Sequence, residues 1–141
     1  MVCTGKGFND EEKMEMESLG IIDNVIHKYV DEEELRSLYH HAIAFVYPSS
    51  YEGFGIPILE AFANDCPVML NDASCFPEVA GEAAIFFDIN KRGDFYEKFM
   101  TFYQSEAEMR ERYIEKGRLQ VENYSWEKAA NELLKIYSSL L

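Results

Sequence analysis

The feature that most constrains this chain is a change of rhythm at Tyr47. Ala42-Ile43-Ala44-Phe45-Val46-Tyr47 is an apolar run of strand length, and Ile56 to Asn64 carries the helix formers Leu59, Glu60, Ala61 and Ala63. Between them lies Pro48-Ser49-Ser50-Tyr51-Glu52-Gly53-Phe54-Gly55, a loop with two glycines. An apolar strand, a glycine loop and a helix, in that order, form the repeating unit of a parallel sheet covered by helices. Pro57 suits the first helical turn, where a backbone N–H has no intrahelical partner. Gly53 and Gly55 permit a sharp turn and a close approach of the backbone to a ligand. The free amides and positive dipole end of a helix start attract an anion such as a phosphate. Glu52 lies just before the turn and Glu60 about one turn inside the helix. Both carboxylates can therefore border one anion site without occupying it, a good arrangement for gripping sugar hydroxyls beside a diphosphate.

The rest of the chain repeats the same alternation. Met1 to Thr4 is strand-like, and Gly5 and Gly7 break it. Gly5-Lys6-Gly7 lacks the spacing of a Walker phosphate loop. It is either a plain strand-to-helix turn or a turn with a ligand contact. Asn9 or Asp10 can cap a helix to about Leu19, with Gly20 as its stop. Val25 to Tyr29 is a short strand. Asp31 caps a helix from Glu32 to His41, with Leu35, Leu38 and Tyr39 facing the core. Asp65-Cys66-Pro67 ends the central helix, and Pro67 to Leu70 suits a buried parallel strand. Asn71 to Ser74 is a loop, Ser74 can cap Cys75 to Ala80, and Ala84 to Phe87 is another strand. From Arg92 onward the pattern is helical. Phe95, Phe99, Phe102 and Tyr103 form one apolar stripe; a second helix carries Met109, Arg112, Tyr113 and Lys116; Ser125 caps a last helix with Trp126, Ala129, Leu133, Ile136 and Tyr137. The aromatic stripes are expected in the core. Strand and helix alternate four or five times before the closing helices, and ligands in such sheets bind at the C-terminal ends of the strands.

Charge and composition exclude several functions. A chain of 141 residues is the size of one domain. A net charge of −13 argues against nucleic acid, which wants a basic stripe, and against an anionic membrane face. No run approaches the roughly 20 apolar residues of a membrane span, and no basic-then-apolar leader opens the chain. Cys3, Cys66 and Cys75 fit no zinc or disulfide pattern, as expected of reduced thiols in a cytosolic protein. His40 and His41 are adjacent on a helix, so their rings diverge by about 100° and no third ligand is spaced to help. No metal site is expected.

Pro-Ser-x-x-Glu-Gly-Phe-Gly-Ile-Pro-x-x-Glu, with seven residues between Glu52 and Glu60, resembles the signature of the group 1 (family 4) retaining glycosyltransferases of GT-B fold. The resemblance continues through Asp31 to Tyr39 and Pro77-Glu78-Val79-Ala80-Gly81, and covers nearly the whole chain. It implies an α/β domain with a Rossmann-like parallel sheet covered by helices on both faces. Residues 1–141 would be the nucleotide-sugar-binding, C-terminal half of such an enzyme, lacking its first strand-helix unit.

Further roles follow from the resemblance alone. Glu52, as the catalytic residue, would bond hydroxyls of the transferred sugar. Gly53, Phe54, Gly55 and Ile56 would present backbone to sugar and diphosphate, and Glu60 would accept from the ribose. Gly5 would lie in a turn facing the donor cleft. Lys28 stands where the family usually has glycine; it either brings a cation to the donor or is an exposed lysine. Ser74 and Cys75 are possible lining residues. The reaction implied is transfer of a hexosyl unit, mannosyl or glucosyl, from a nucleoside diphosphate sugar to a glycan or lipid-linked acceptor in polysaccharide biosynthesis. It would proceed with retention and without a metal or other cofactor. The place implied is the cytoplasm, peripheral at the inner membrane for the full-length enzyme. The family's diphosphate-binding Arg and Lys, and its N-terminal acceptor domain, would precede Met1. Weak or absent donor binding, no turnover by the chain alone, and self-association through uncovered apolar surface are therefore expected. A non-catalytic nucleotide-sugar-binding module and a GT-B-like nucleotide-sugar epimerase are the alternatives.

Overall fold

The computed structural model of the chain describes residues 1–140. They divide into two compact units, Met1–Ser37 and the chain from Leu38 onward.

The first unit holds a two-stranded parallel sheet. Strand β1 (Val2–Thr4) pairs with β2 (Ile26–Lys28), with Val2 opposite Ile26 and Thr4 opposite Lys28. Between them runs α1 (Asp10–Ser18), capped by Asn9, one of the two residues the sequence offers, in a capping box with Glu12. Asn9 accepts from the Glu12 amide and Glu12 from the Asn9 amide, both at 2.8 Å. Gly20 ends the segment with φ +67°, as a helix stop requires. Asp31 caps α2 (Glu32–His41), accepting from the Glu34 amide at 2.9 Å. The acidic run Glu32 to Glu34 therefore sits at the positive end of that helix.

The second unit is built on three parallel strands in the order β3 (Phe45–Tyr47), β4 (Val68–Asn71), β5 (Ala84–Phe87). Strand β4 is central and fully buried, which is why its sequence is apolar without alternation. Ile58, Ala61 and Phe62 of α3 (Ile56–Ala63) and Phe76, Val79 and Ala80 of α4 (Phe76–Ala80) complete the core. Helix α5 (Asp94–Tyr103) follows β5, anchored by Asp94, which accepts from the Asp88 amide at 3.0 Å and Lys91 at 2.7 Å. Strand β3 is shorter than the run that announces it. The Ala42 amide still closes α2, and the carbonyls of Ala42 and Ile43 accept from Arg110 at 3.0 and 2.5 Å.

Arg110 belongs to α6 (Ala107–Val121), which packs on α3. Two features set that contact. Arg118 forms a two-point ion pair with Asp65 at 2.7 and 2.8 Å and holds that carboxyl below the usual range. Gly117 lies so close to Phe62 that a Cβ would sit 2.7 Å from the ring.

The apolar stripe of α7 (Trp126–Ser139) is not in the core, contrary to expectation. Trp126 is 87% exposed, Leu133, Ile136 and Tyr137 are also exposed, and no residue of α7 is buried. Phe95 and Tyr103 of α5 are exposed too, whereas Phe102 is buried. Helical spacing records that a face needs an apolar partner and not where the partner is. Among the described residues none covers α7.

Two outcomes are expected. Gly117→Ala should lower stability by about 1–3 kcal/mol despite the better helix propensity of alanine, because Phe62 is buried and cannot yield; urea unfolding measures it. The uncovered stripe of α7 should make the chain self-associate at high concentration, and light scattering that shows a monomer throughout would exclude it.

Candidate active site

Tyr47 is the last residue of β3 and Asn71 the last of β4, so the glycine loop leaves the C-terminal end of the parallel sheet. Its shape is set at Gly55, the residue before α3, where φ is +91°. A Cβ there would also meet Ile58 at 2.9 Å and Phe76 at 3.1 Å. Gly55 is thus required by turn and packing together. Gly53 is different: its φ is not left-handed and nothing lies within 4 Å of a Cβ built on it. The fold itself gives no reason for a glycine at 53.

The N–H groups of Gly53, Phe54, Gly55 and Ile56 donate to no acceptor among the described residues. Pro57 has none to offer, and the Ile58 amide turns back to the Gly55 carbonyl at 2.9 Å. The stretch of free amides is therefore the loop and the first residue of α3, rather than a full helical turn.

Glu52 is fixed at both ends. Ser74 accepts from its amide at 3.2 Å and donates to its carbonyl at 2.9 Å. Its side chain accepts from the Tyr47 hydroxyl at 2.6 Å. The expected Ser74 cap is absent: Cys75 is the cap residue of α4, without a side-chain bond. Ser74 has φ +55° and is turned toward Glu52 instead. Cys75 completes the brace, its thiol 3.4 Å from the Glu52 carbonyl and 3.3 Å from that of Phe54. Asn71, only 3% exposed, holds the start of the loop by donating to the Ser49 carbonyl at 3.1 Å and accepting from the Ile89 amide at 3.2 Å.

Glu60 projects from α3 and accepts from Tyr39 of α2 at 3.4 Å. The two tyrosines belong to one aromatic row. Tyr39 meets Phe45 edge-on at 5.3 Å, Phe45 meets Tyr47 at 5.6 Å, and Tyr47 meets Phe76 at 5.2 Å. Phe54 is partly exposed and rests edge-on against Tyr124 at 5.4 Å.

Glu52, Gly53, Phe54, Gly55, Ile56 and Glu60 are thus gathered in the second unit. Gly5 and Lys28 lie in the first, side by side at the C-terminal ends of β1 and β2. Lys28 pairs with Glu34 at 2.6 Å and is half-exposed. His27 donates to the Gly5 carbonyl at 2.9 Å and so steadies that turn. Among the described residues no group of His, Cys, Asp or Glu is arranged to hold a metal, and no helix is long and apolar enough to cross a membrane. A separate cavity of about 390 Å³ lies near the start of β3, between Ile43, Tyr103 and Arg110, and contains neither motif glutamate.

A family model for glycosyl transferases group 1 matches residues 1–120. The chain belongs to that family. It is 37% identical over 112 residues to the O-antigen chain mannosyltransferase B of Escherichia coli, covering 79% of this chain and 29% of that protein. It is 30% identical over 128 residues to an MMP alpha-(1->4)-mannosyltransferase of Mycolicibacterium hassiacum, covering 87% of this chain and 31% of the relative. Two solved structures share its fold. Sucrose-phosphate synthase from Thermosynechococcus elongatus superposes with a TM-score of 0.81 at 22% identity, over 99% of this chain and 38% of that one. WaaG, a glycosyltransferase involved in lipopolysaccharide biosynthesis, gives 0.76 at 19%, over 92% and 36%. The α/β architecture of parallel sheets and helices is that of GT-B glycosyltransferases. The chain spans well under half the length of each of these four proteins.

The tyrosines give the site a pH signature. Burial, the bond to Glu52 and its charge push the Tyr47 phenol up to about 12. Burial and then Glu60 push Tyr39 up as well. A raised phenol favours the folded state fully below its unfolded value near 10, and that stability is lost as pH climbs through the folded value. Urea titrations should show stability falling from about pH 10 to about pH 12, and falling less in Tyr39→Phe and Tyr47→Phe. Equal alkaline losses in all three proteins would contradict the assignment.

Proposed function

We propose that the chain is the donor-binding part of a retaining hexosyltransferase, with a nucleoside diphosphate sugar as donor and a glycan or lipid-linked acceptor. The observation that carries the reading is one arrangement: a run of unpaired amides from Gly53 to Ile56, with a braced carboxylate before it and a second on the helix behind it. In this reading the amides take the diphosphate. Glu52 accepts from hydroxyls of the sugar and Glu60 from those of the ribose. When the bond between the anomeric carbon and the diphosphate oxygen breaks, negative charge grows on the leaving diphosphate. Donors already fixed in place stabilise that charge without reorganising. No metal or other cofactor has a part in this step. Mannose is the favoured sugar, because both curated relatives are named mannosyltransferases. The acceptor is assigned to a further N-terminal domain, and the reaction to the cytoplasm, in the building of a polysaccharide.

The freedom of Gly53 supports the same reading. The fold would accept a side chain there, so the reason for a glycine is a ligand that must come close to the backbone.

Amide-resolved NMR titration of this chain with GDP-mannose and UDP-glucose tests the proposal. Binding by the chain alone is expected to be weak, with Kd in the millimolar range. Shifts should concentrate on residues 52–56 and 60. Gly53→Ala should leave folding stability within about 0.5 kcal/mol and weaken binding about tenfold or more, and Glu60→Ala should abolish it. Shifts centred elsewhere, or full binding by Gly53→Ala, would sink the reading.

A further inference from the structure

The two glutamates are not held alike by the rest of the site, and the groups that hold them have no place in the donor chemistry above. We propose that Tyr47 and Tyr39 are positioning residues: each phenol fixes one carboxylate oxygen of its glutamate and leaves the other oxygen for a ligand hydroxyl. The proposal rests on the donor-binding reading for its ligand, and on the unliganded geometry for everything else.

Three observations carry it. Tyr47 donates to Oε1 of Glu52 at 2.6 Å, and Tyr39 to Oε2 of Glu60 at 3.4 Å. No other protein donor reaches either carboxylate among the described residues, so each keeps one oxygen unclaimed. Both phenols hang from the same aromatic row, and Phe76 at its end is the ring that a Cβ at Gly55 would strike. One row of rings therefore sets the spacing between the first acid, the amide turn and the second acid.

A glutamate on a surface loop samples several rotamers, and a ligand that needs one of them must freeze it. A phenol behind the carboxylate does that freezing in advance. The two tethers differ. At 2.6 Å Glu52 is tightly held; at 3.4 Å Glu60, which is exposed, is only loosely tethered. Tyr47 should accordingly matter more, and its effect should fall on the sugar.

The opposite view is that the glutamates merely satisfy tyrosine hydroxyls, since a buried phenol needs an acceptor. The two views part in one experiment with two arms. The first needs no ligand: three-bond couplings of the Glu52 side chain are measured in this chain and in Tyr47→Phe. Phenylalanine keeps the ring contacts and removes only the oxygen. One rotamer should be seen with tyrosine and averaging with phenylalanine, while Glu60 is unchanged. Glu52 equally ordered in both proteins would overturn the proposal. The second arm compares GDP-mannose with GDP by NMR titration. Tyr47→Phe should weaken GDP-mannose about tenfold and leave GDP unchanged, while Tyr39→Phe weakens both alike. Tyr47→Phe weakening both ligands equally would also overturn it. In a Glu52→Gln background the Tyr47→Phe change should add little. A second variant, Tyr47→4-aminophenylalanine, returns an N–H donor to the ring; it should restore the rotamer and the affinity, and its failure to do so would count against positioning. If Glu52 order depends on Tyr47 but the nucleotide shifts centre away from residues 52–56 and 60, the positioning stands and the donor reading falls.

Discussion

The packing of Gly55 against Phe76 and Ile58 is the contact on which the site depends. At that point the backbone must reverse from strand to helix with φ +91°, and there is no room for a side chain. Phe76 is itself fully buried against a core built on β4. The turn is therefore fixed by the hydrophobic interior rather than by loop hydrogen bonds. A loop anchored in this way can leave its own amides unpaired, because the core supplies the order that internal hydrogen bonds would otherwise give. Unpaired amides at a helix start are what an anion needs. Stability and the proposed anion site meet at one glycine.

Much of this was legible from the chain. Periodicity and glycine placement located β3, the loop and α3, because a short apolar run followed by a glycine turn and helix formers leaves a readable pattern. The caps at Asn9, left open with Asp10, and at Asp31 were legible because capping is local chemistry among neighbours in sequence. The braces were not. Tyr39 reads as one more apolar position on a helical face, and its hydroxyl's partner lies 21 residues away. Ser74 fits a cap so well by position that its true partner, the backbone of Glu52, has no sequence signal. Asn71 stands where a loop is expected, yet ends a buried strand and holds Ser49. A usable signal did exist for Tyr47. A phenol that ends an apolar strand directly before an acidic loop is a donor in search of an acceptor.

The stripe of α7 failed as a core prediction for a general reason. Amphipathic spacing is a statement about one helix, and burial is a statement about two surfaces. Arg110 and Arg118 show the contrast within α6. Each is paid back locally, by carbonyls at the end of α2 and by Asp65, so that helix is tied to its unit by polar contacts as well as by Gly117. Helix α7 has a cap at Ser125 and a lysine, Lys128, on the Glu122 carbonyl, but among the described residues no such tie further along.

The proposed diphosphate would meet a chain of net charge −13, and two carboxylates beside the loop sharpen the difficulty. The answer lies in distance and shielding. Most of the acid lies on solvated surface, where salt screens it within about 8–10 Å. Glu52 and Glu60 cannot be screened so easily, because they stand beside the amides. Each meets a phenol dipole, with the hydroxyl proton against the carboxylate, which draws charge density toward the interior and away from the loop. The amides meanwhile have no competing acceptor, and their dipoles add to that of α3. An anion on the loop would face the positive ends of several fixed dipoles at contact distance, and the two carboxylates only from the flanks. In the proposed arrangement, the placement that keeps the acids off the anion would leave their free oxygens for hydroxyls beside it. For a ligand carrying hydroxyls on both sides of a diphosphate, repulsion and recognition are set by one geometry.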